Sequence, residues 1–158
     1  MYVTDKLGKN AEQKIKEWLD RPEDGYDFQR LPDQLSGFYG SSNICDFELY
    51  KYPNHYWIES KATWHDRFDL SMLTEIQYNG LLDKSKIEGV DGIVIVLFAT
   101  YKRAFWISIQ ELEKLKQSGK KSLNITKIDK WPINYHEIKT IPNNRKKLLD
   151  YDKEQEFI

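Results

Sequence analysis

In the stretch CDFELYKYPNHYWIESKAT, Cys45 to Thr63, three polar residues break into apolar surroundings: Asp46, Glu59 and Lys61. Side chains alternate along a strand, so HYWIESK places Trp57, Glu59 and Lys61 on one face and Ile58 and Ser60 on the other. A reversal near Pro53 sets Asp46 seven residues back, with Glu59 six and Lys61 eight residues forward, so the three converge. Two carboxylates and the backbone carbonyl of Ser60 make a hard oxygen site. Mg²⁺ suits it, because that ion binds through one or two carboxylates and keeps water and substrate phosphate as its other ligands. Such an ion lowers the pKa of a bound water and neutralises charge on a phosphoryl oxygen. Lys61 would orient the attacking water or stabilise the pentavalent transition state. These are the parts of a phosphodiester hydrolysis site. Glu-x-Lys is equally the pattern of a same-face ion pair on a sheet surface, worth under ~1 kcal/mol. The residues alone leave both readings open.

The surrounding elements must deliver these groups to one place. Leu7, Ala11, Ile15, Trp18 and Leu19 form an apolar stripe that predicts a helix over Thr4 to Leu19, capped by Thr4 or Asp5 and ended by DRPEDG. Arg30 to Ser42, with Pro32, Gly37 and Gly40, reads as an irregular loop. Ile44 to Tyr50 and His55 to Lys61 read as strands of a hairpin turning at Pro53 and Asn54. Asp69 to Lys84 is helical in pattern, with Asp69 or Ser71 as cap and Leu73, Ile76 and Leu81 on one side. GVDGIVIVLFA, Gly89 to Ala99, is the unbroken β-branched run of a strand covered on both faces. Ala104 to Ile109 is a further strand and Gln110 to Gln117 a short helix. Beyond Ile125 the pattern is mixed, and the end DYDKEQEFI reads as polar and loose. The order predicts an α/β protein with a mixed central sheet flanked by helices, the helix between Lys61 and Gly92 being the crossover. A single domain over 1–158 is expected, with a core over about 4–117 and a C-terminal extension over 118–158.

Composition narrows the class. The chain has 158 residues, 40% hydrophobic and 31% charged, enough for one domain with a proper core. No apolar run approaches the ~18 residues of a membrane span. MYVTDKLGKN lacks the basic and apolar regions of a secretory signal, and the single Cys45 excludes an internal disulfide and a cysteine-built zinc site. A cytoplasmic location is the simplest expectation. With 24 Lys+Arg against 25 Asp+Glu, the net charge of -1 does not by itself point to nucleic acid. What matters is whether the basic residues gather on one face.

Taken together, Asp46, ESK at Glu59 to Lys61 and the order of elements resemble the PD-(D/E)xK nuclease superfamily. Cys45 stands where that motif has proline. Within the superfamily, CDFELYKYPNHYWIESKAT, WHDRFDLSML, TEIQYNGLLDKSKIEGVDGIVIVLF and AFWISI are most similar to the RecU-type Holliday junction resolvases of Gram-positive bacteria and their phages. The likeness spans roughly Gly8 to Leu115. It implies a restriction-endonuclease-like fold and an Mg²⁺-dependent endodeoxyribonuclease, with Mn²⁺ able to substitute. It also implies a four-way DNA junction as substrate during recombination and repair, and a two-fold homodimer with paired sites. Asp46 and Glu59 would bind the metal with the Ser60 carbonyl, and Lys61 would be the catalytic lysine. Gln77 would help place water or phosphate, and Glu12 would be an outer metal contact. Gln77 also reads as a polar residue on the helix edge, Glu12 as a partner of Lys9 or Lys16, and Glu48 is a reserve ligand. A restriction or repair nuclease of the same superfamily, and a non-catalytic DNA-binding module, are the alternatives.

The resemblance also implies a stalk ahead of Asp46 that enters the junction. Here the stretch Gln29 to Asn43 is short. It reads either as a reduced stalk with Phe38 and Tyr39 as stacking side chains or as a loop covering the core. Lys9, Arg30, Arg67, Lys84 and Lys86 are candidate phosphate contacts, Arg30 and Arg67 foremost by their place relative to Asp46 and Glu59. Lys102, Arg103 and the Arg145 to Lys147 cluster are further basic residues, and Trp64 and His65 flank Arg67.

Overall fold

The apolar run Val90 to Phe98 forms the middle of the sheet, and its two faces are both buried. The computed structural model describes residues 2–32, 43–142 and 148–155. In chain order the elements are α1 (Tyr2–Leu19), β1 (Tyr26–Arg30), β2 (Phe47–Lys51), β3 (Asn54–Thr63) and β4 (Arg67–Asp69). After the 3₁₀ turn Leu70–Met72 come α2 (Glu75–Lys84) and β5 (Val90–Phe98). The 3₁₀ turn Ala99–Tyr101 leads to β6 (Arg103–Ser108), α3 (Ile109–Gln117) and β7 (Ser122–Asn124). The 3₁₀ segment Ile125–Lys130, β8 (His136–Ile138), β9 (Thr140–Ile141) and β10 (Asp150–Tyr151) follow.

Six strands form one sheet in the order β1-β2-β3-β5-β6-β8. Only β3 and β5 run parallel, joined across α2; the other neighbours are antiparallel. β4 pairs with β7, and β9 with β10. This is the mixed sheet with flanking helices that the element order predicts. Alternation along β5 divides the core. Ile93, Ile95 and Leu97 meet the α1 stripe of Leu7, Ala11, Ile15, Trp18 and Leu19. Val94, Val96 and Phe98 meet Leu81 of α2 and Leu112 and Leu115 of α3.

Four boundaries differ from expectation, each for a local reason. α1 begins at Tyr2, ahead of Thr4. The hairpin turns on Tyr52 and Pro53, with Lys51 opposite Asn54, one residue earlier than Pro53 and Asn54. α2 starts at Glu75, because Asp69 pairs in β4 and Leu70–Met72 forms a separate 3₁₀ turn. Thr74, not Asp69 or Ser71, caps α2, with Gln77 closing a capping box. β1 lies where no strand is expected: YDFQR offers little apolar alternation, and only pairing with β2 makes it a strand. The end of the chain is not loose where it is described. β8 closes the sheet against β6, and Leu148, Leu149 and Tyr151 are buried beside α1.

Candidate active site

Asp46 precedes β2 by one residue, yet its backbone is held on both sides. Its N–H donates to the Ile58 carbonyl at 3.1 Å, and its carbonyl accepts from the Leu31 N–H at 2.8 Å. The β2–β3 ladder ends at Phe47 opposite Ile58, and Asp46 follows directly beyond it. The Asp46 carboxylate then accepts the Ser60 N–H through Oδ2 at 2.9 Å. In a strand a residue's N–H and C=O point to the same side. The Ser60 carbonyl therefore lies on the same side of β3 as its N–H.

Glu59 sits inside the sheet opposite Val94 of β5 and is only 3% exposed. Its two carboxylate oxygens have different surroundings. Oε2 is 3.1 Å from the Lys61 ammonium and accepts the Gln77 amide at 3.1 Å. Oε1 is buried and accepts from no N–H donor, while the Glu59 and Asp46 carboxyls lie within hydrogen-bond reach of each other. A buried carboxylate oxygen without an N–H donor costs more than almost any other unsatisfied group, unless a cation completes it.

Glu12 reaches the same cluster from α1. Its carboxylate is 2.9 Å from the Arg30 guanidinium at the end of β1; it is within hydrogen-bond reach of Asp46, and its charge acts on Glu59. It does not spend itself on Lys9 or Lys16. Crowding three carboxyls in a buried place raises the pKa of each. Burial first, then the charge of Glu59, pushes Asp46 up to about 7. Burial also raises Glu59, against the pull of Lys61. Burial and then Asp46 raise Glu12, against Arg30.

Among the described residues, no three His, Cys, Asp or Glu side chains close into a ready-made metal cage. The donors that gather are the Asp46 and Glu59 carboxylates, with the Glu12 carboxylate coupled to both. That set fits Mg²⁺, which retains several waters, better than an ion that needs an all-protein cage. The buried Glu59 Oε1 and the raised acids both fit a site completed by a dication.

Other sequence candidates fall at varying distances. Gln77 is half-buried, between the start of α2 and Glu59. Its carbonyl oxygen accepts the Thr74 N–H at 3.0 Å and its amide holds Glu59, so it positions that carboxylate. Arg30 is on β1, not in a loop, and joins the cluster through Glu12. Lys9 is exposed on α1, and exposed Arg67 pairs with Asp69 at 3.1 Å. The Lys84 ammonium lies 4.6 Å from the centre of the Trp57 ring, one step along the face from Glu59. Lys86 is not brought to the site: it pairs with Asp83 at 3.4 Å, at the end of the sheet where β3 and β5 begin. Glu48 faces Trp57 and is 2.8 Å from His55, so the structure does not place it as a metal ligand. Trp64 and His65 are exposed. Phe38, Tyr39 and Arg145 to Lys147 lie outside the described residues. The Glu12–Arg30 pair escapes sequence reasoning because β1 does. The capping box of Thr74 and Gln77 was visible as T-x-x-Q.

Comparison with known proteins places this geometry. Among solved structures, the chain shares its fold with the Archaeoglobus fulgidus Hjc, a Holliday junction resolvase from an archaeal hyperthermophile. The TM-score is 0.53 at 16% identity, covering 75% of this chain and 89% of that one. No curated protein matches the sequence. The model of one family, recombination protein U, matches residues 36–153. Because that match takes in β2, β3, α2 and most of the remaining sheet, the chain belongs to the RecU family.

Proposed function

We propose that the protein is a structure-selective, metal-dependent DNA endonuclease: a Holliday junction resolvase that hydrolyses phosphodiesters at four-way junctions. One observation carries the chemistry. Glu59 has one oxygen clasped by Lys61 and Gln77 and the other buried, accepting from no N–H donor, with the Asp46 carboxyl in reach of the same carboxylate. Family membership and the fold shared with a junction resolvase support the substrate class.

Asp46, Glu59 and the Ser60 carbonyl would hold Mg²⁺, or Mn²⁺ in its place, with Glu12 as an outer contact. A dication held there supplies Lewis acidity toward a phosphoryl oxygen and a bound water of lowered pKa. The protein supplies the rest. Gln77 and Lys61 fix the Glu59 carboxylate, and the Ser60 N–H fixes that of Asp46. An ammonium has three donors, of which Lys61 gives one to Glu59. Its side chain keeps 19% exposure, so the others reach a water or phosphoryl oxygen from the open side. Arg30 restrains Glu12 and leaves its positive charge at the rim. The reading takes 1–158 as a single nuclease domain acting as a homodimer, since two strands must be cut symmetrically.

The test is cleavage of mobile and fixed four-way junctions beside linear duplex, in Mg²⁺, in Mn²⁺ and in chelator. Junction-selective nicking that chelator abolishes is expected. Glu59→Ala and Lys61→Ala should still bind the junction but not cut it. Unchanged cleavage by Glu59→Ala overturns the site, and equal cutting of linear duplex favours another nuclease of the superfamily.

A further inference from the structure

A second charged feature lies on an adjacent face of α2. Between α2, the 3₁₀ turn Leu70–Met72 and the end of α3 runs an open groove of about 880 Å³. Leu73 and Tyr78 form its floor, and Lys116, Lys120 and Lys121 stand along it. Gly119, at φ +88°, turns the chain after α3 so that Lys120 and Lys121 come back beside Lys116. The Lys121 carbonyl accepts the Leu70 N–H at 2.9 Å, which pins this wall to the opposite one.

These lysines differ from the cations that are tied into ion pairs. Arg67, Lys86, Arg103 and Lys114 are each tied to a carboxylate. Lys116, Lys120 and Lys121 are exposed and form no ion pair with any described residue. Lys116 is held in place: its ammonium lies 4.8 Å from the centre of the buried Tyr78 ring. Two acids also line the groove, Asp69 and Glu75. Asp69 is already paired with Arg67 at 3.1 Å, so the groove keeps a positive surplus.

The groove and the catalytic cluster share one helix. Gln77, which holds Glu59, and Tyr78, which underlies Lys116, are consecutive on α2. The two sites therefore lie on adjacent faces of α2, about 100° apart around its axis. A row of exposed ammonium groups with no carboxylate partner suits phosphates of the duplex that carries the scissile bond.

We propose that Lys116, Lys120 and Lys121 form a track for the backbone phosphates of a DNA arm, outside the catalytic cluster. The track rests on the nuclease reading above, adds affinity without reading sequence, and leaves the chemistry at Glu59 untouched. Binding of a fixed four-way junction by the full-length protein is measured over a salt series, with kcat and KM for cleavage. The combined Lys116→Ala, Lys120→Ala and Lys121→Ala variant should reduce the slope of log Kobs against log salt by up to about 0.9 per lysine in contact. KM should rise at least about tenfold while kcat at saturating DNA stays within about twofold, because phosphate contacts position rather than react. A control with Lys130, Lys139 and Lys153 changed to alanine carries the same loss of charge elsewhere and should follow the wild type. Unfolding temperatures separate loss of fold from loss of contact, and Lys120→Glu with Lys121→Glu should weaken binding further. If the groove variant matches the control in slope and KM, the track is refuted. A wild-type protein that binds and cuts no junction overturns the nuclease reading itself.

Discussion

Gln77 holds Glu59 with its amide while its own carbonyl oxygen is held by the Thr74 N–H. One side chain thus closes the capping box of α2 and orients a carboxylate of the proposed metal site. The two duties can be separated. Thr74→Ala removes the hydroxyl that accepts the Gln77 N–H but leaves the bond to Glu59 in place. It should cost about 1 kcal/mol of stability, as loss of an N-cap does, with little effect on cleavage. Gln77→Ala should cost a similar amount of stability but lower metal affinity or cleavage about 10–100-fold, the usual effect of removing a group that orients a ligand. Urea unfolding together with metal titration distinguishes them. Equal activity in both variants would mean that Gln77 serves only the helix.

The raised acids make a pH prediction for the metal-free protein. Burial and the charge of Glu59 hold Asp46 at about 7 in the fold, well above its unfolded value. Glu59 and Glu12 shift the same way. A folded state that binds more protons than the unfolded chain loses stability as pH rises. The contribution of Asp46 is therefore full below about pH 4 and lost progressively up to about pH 7, a change of a few kcal/mol. In chelator, the urea midpoint should fall between pH 5.5 and pH 8. Asp46→Asn keeps an oxygen for the Ser60 N–H and removes the charge, so it should be more stable than wild type at pH 8. Mg²⁺ or Mn²⁺ should restore the wild type at pH 8 more than at pH 5.5, since ligands must be deprotonated to bind. A metal-free Asp46→Asn protein no more stable than wild type at pH 8 would refute the crowded-acid picture.

The hairpin acids were legible because a period of two puts Glu59 and Lys61 on one face and a two-residue turn brings the residues just ahead of Phe47 beside that end of β3. β5 was legible because a doubly buried strand is apolar throughout. What was not legible depends on pairing rather than on local pattern. Tyr26–Arg30 becomes a strand only against β2, and with it Arg30 comes to Glu12. Asp69 offers a helix cap, but β4 pairing withdraws it and Thr74 takes over. The polar chain end hides Leu148, Leu149 and Tyr151, whose burial depends on α1, more than a hundred residues away.

That chain end should matter to stability. Tyr151 is 4% exposed, and its ring centre is 5.4 Å from that of Trp18. Truncating a buried aromatic side chain costs about 3–5 kcal/mol. Tyr151→Ala should lower the urea midpoint accordingly, whereas exposed Lys153→Ala should leave it within about 0.5 kcal/mol. A neutral Tyr151→Ala would mean that the end of the chain does not dock on α1 in solution.

The crossover helix itself offers the sharpest link between fold and site. α2 rides so close to β5 that a Cβ at Gly92 would lie 2.5 Å from the Leu81 carbonyl oxygen and 2.8 Å from the Leu81 Cβ. A backbone obstacle cannot rotate away, so Gly92→Ala must lift the helix or shift the strand. Gly80 is the comparison: its added Cβ would meet the Ile44 side chain, at 2.4 Å from Cγ2. Ile44 is only half-buried and sits in a bend before β2, so it has room to move. Overpacking commonly costs about 1–3 kcal/mol, and Gly92→Ala should lie at or above the upper end, Gly80→Ala nearer the lower. The displaced helix carries Gln77 away from Glu59, so Gly92→Ala should also lose cleavage beyond what its stability predicts when assayed well below its unfolding temperature. A 1 Å misplacement far from the chemistry can cost about 100-fold in rate. Full activity in a folded Gly92→Ala protein would show that the grip of Gln77 on Glu59 does not depend on how closely α2 is seated.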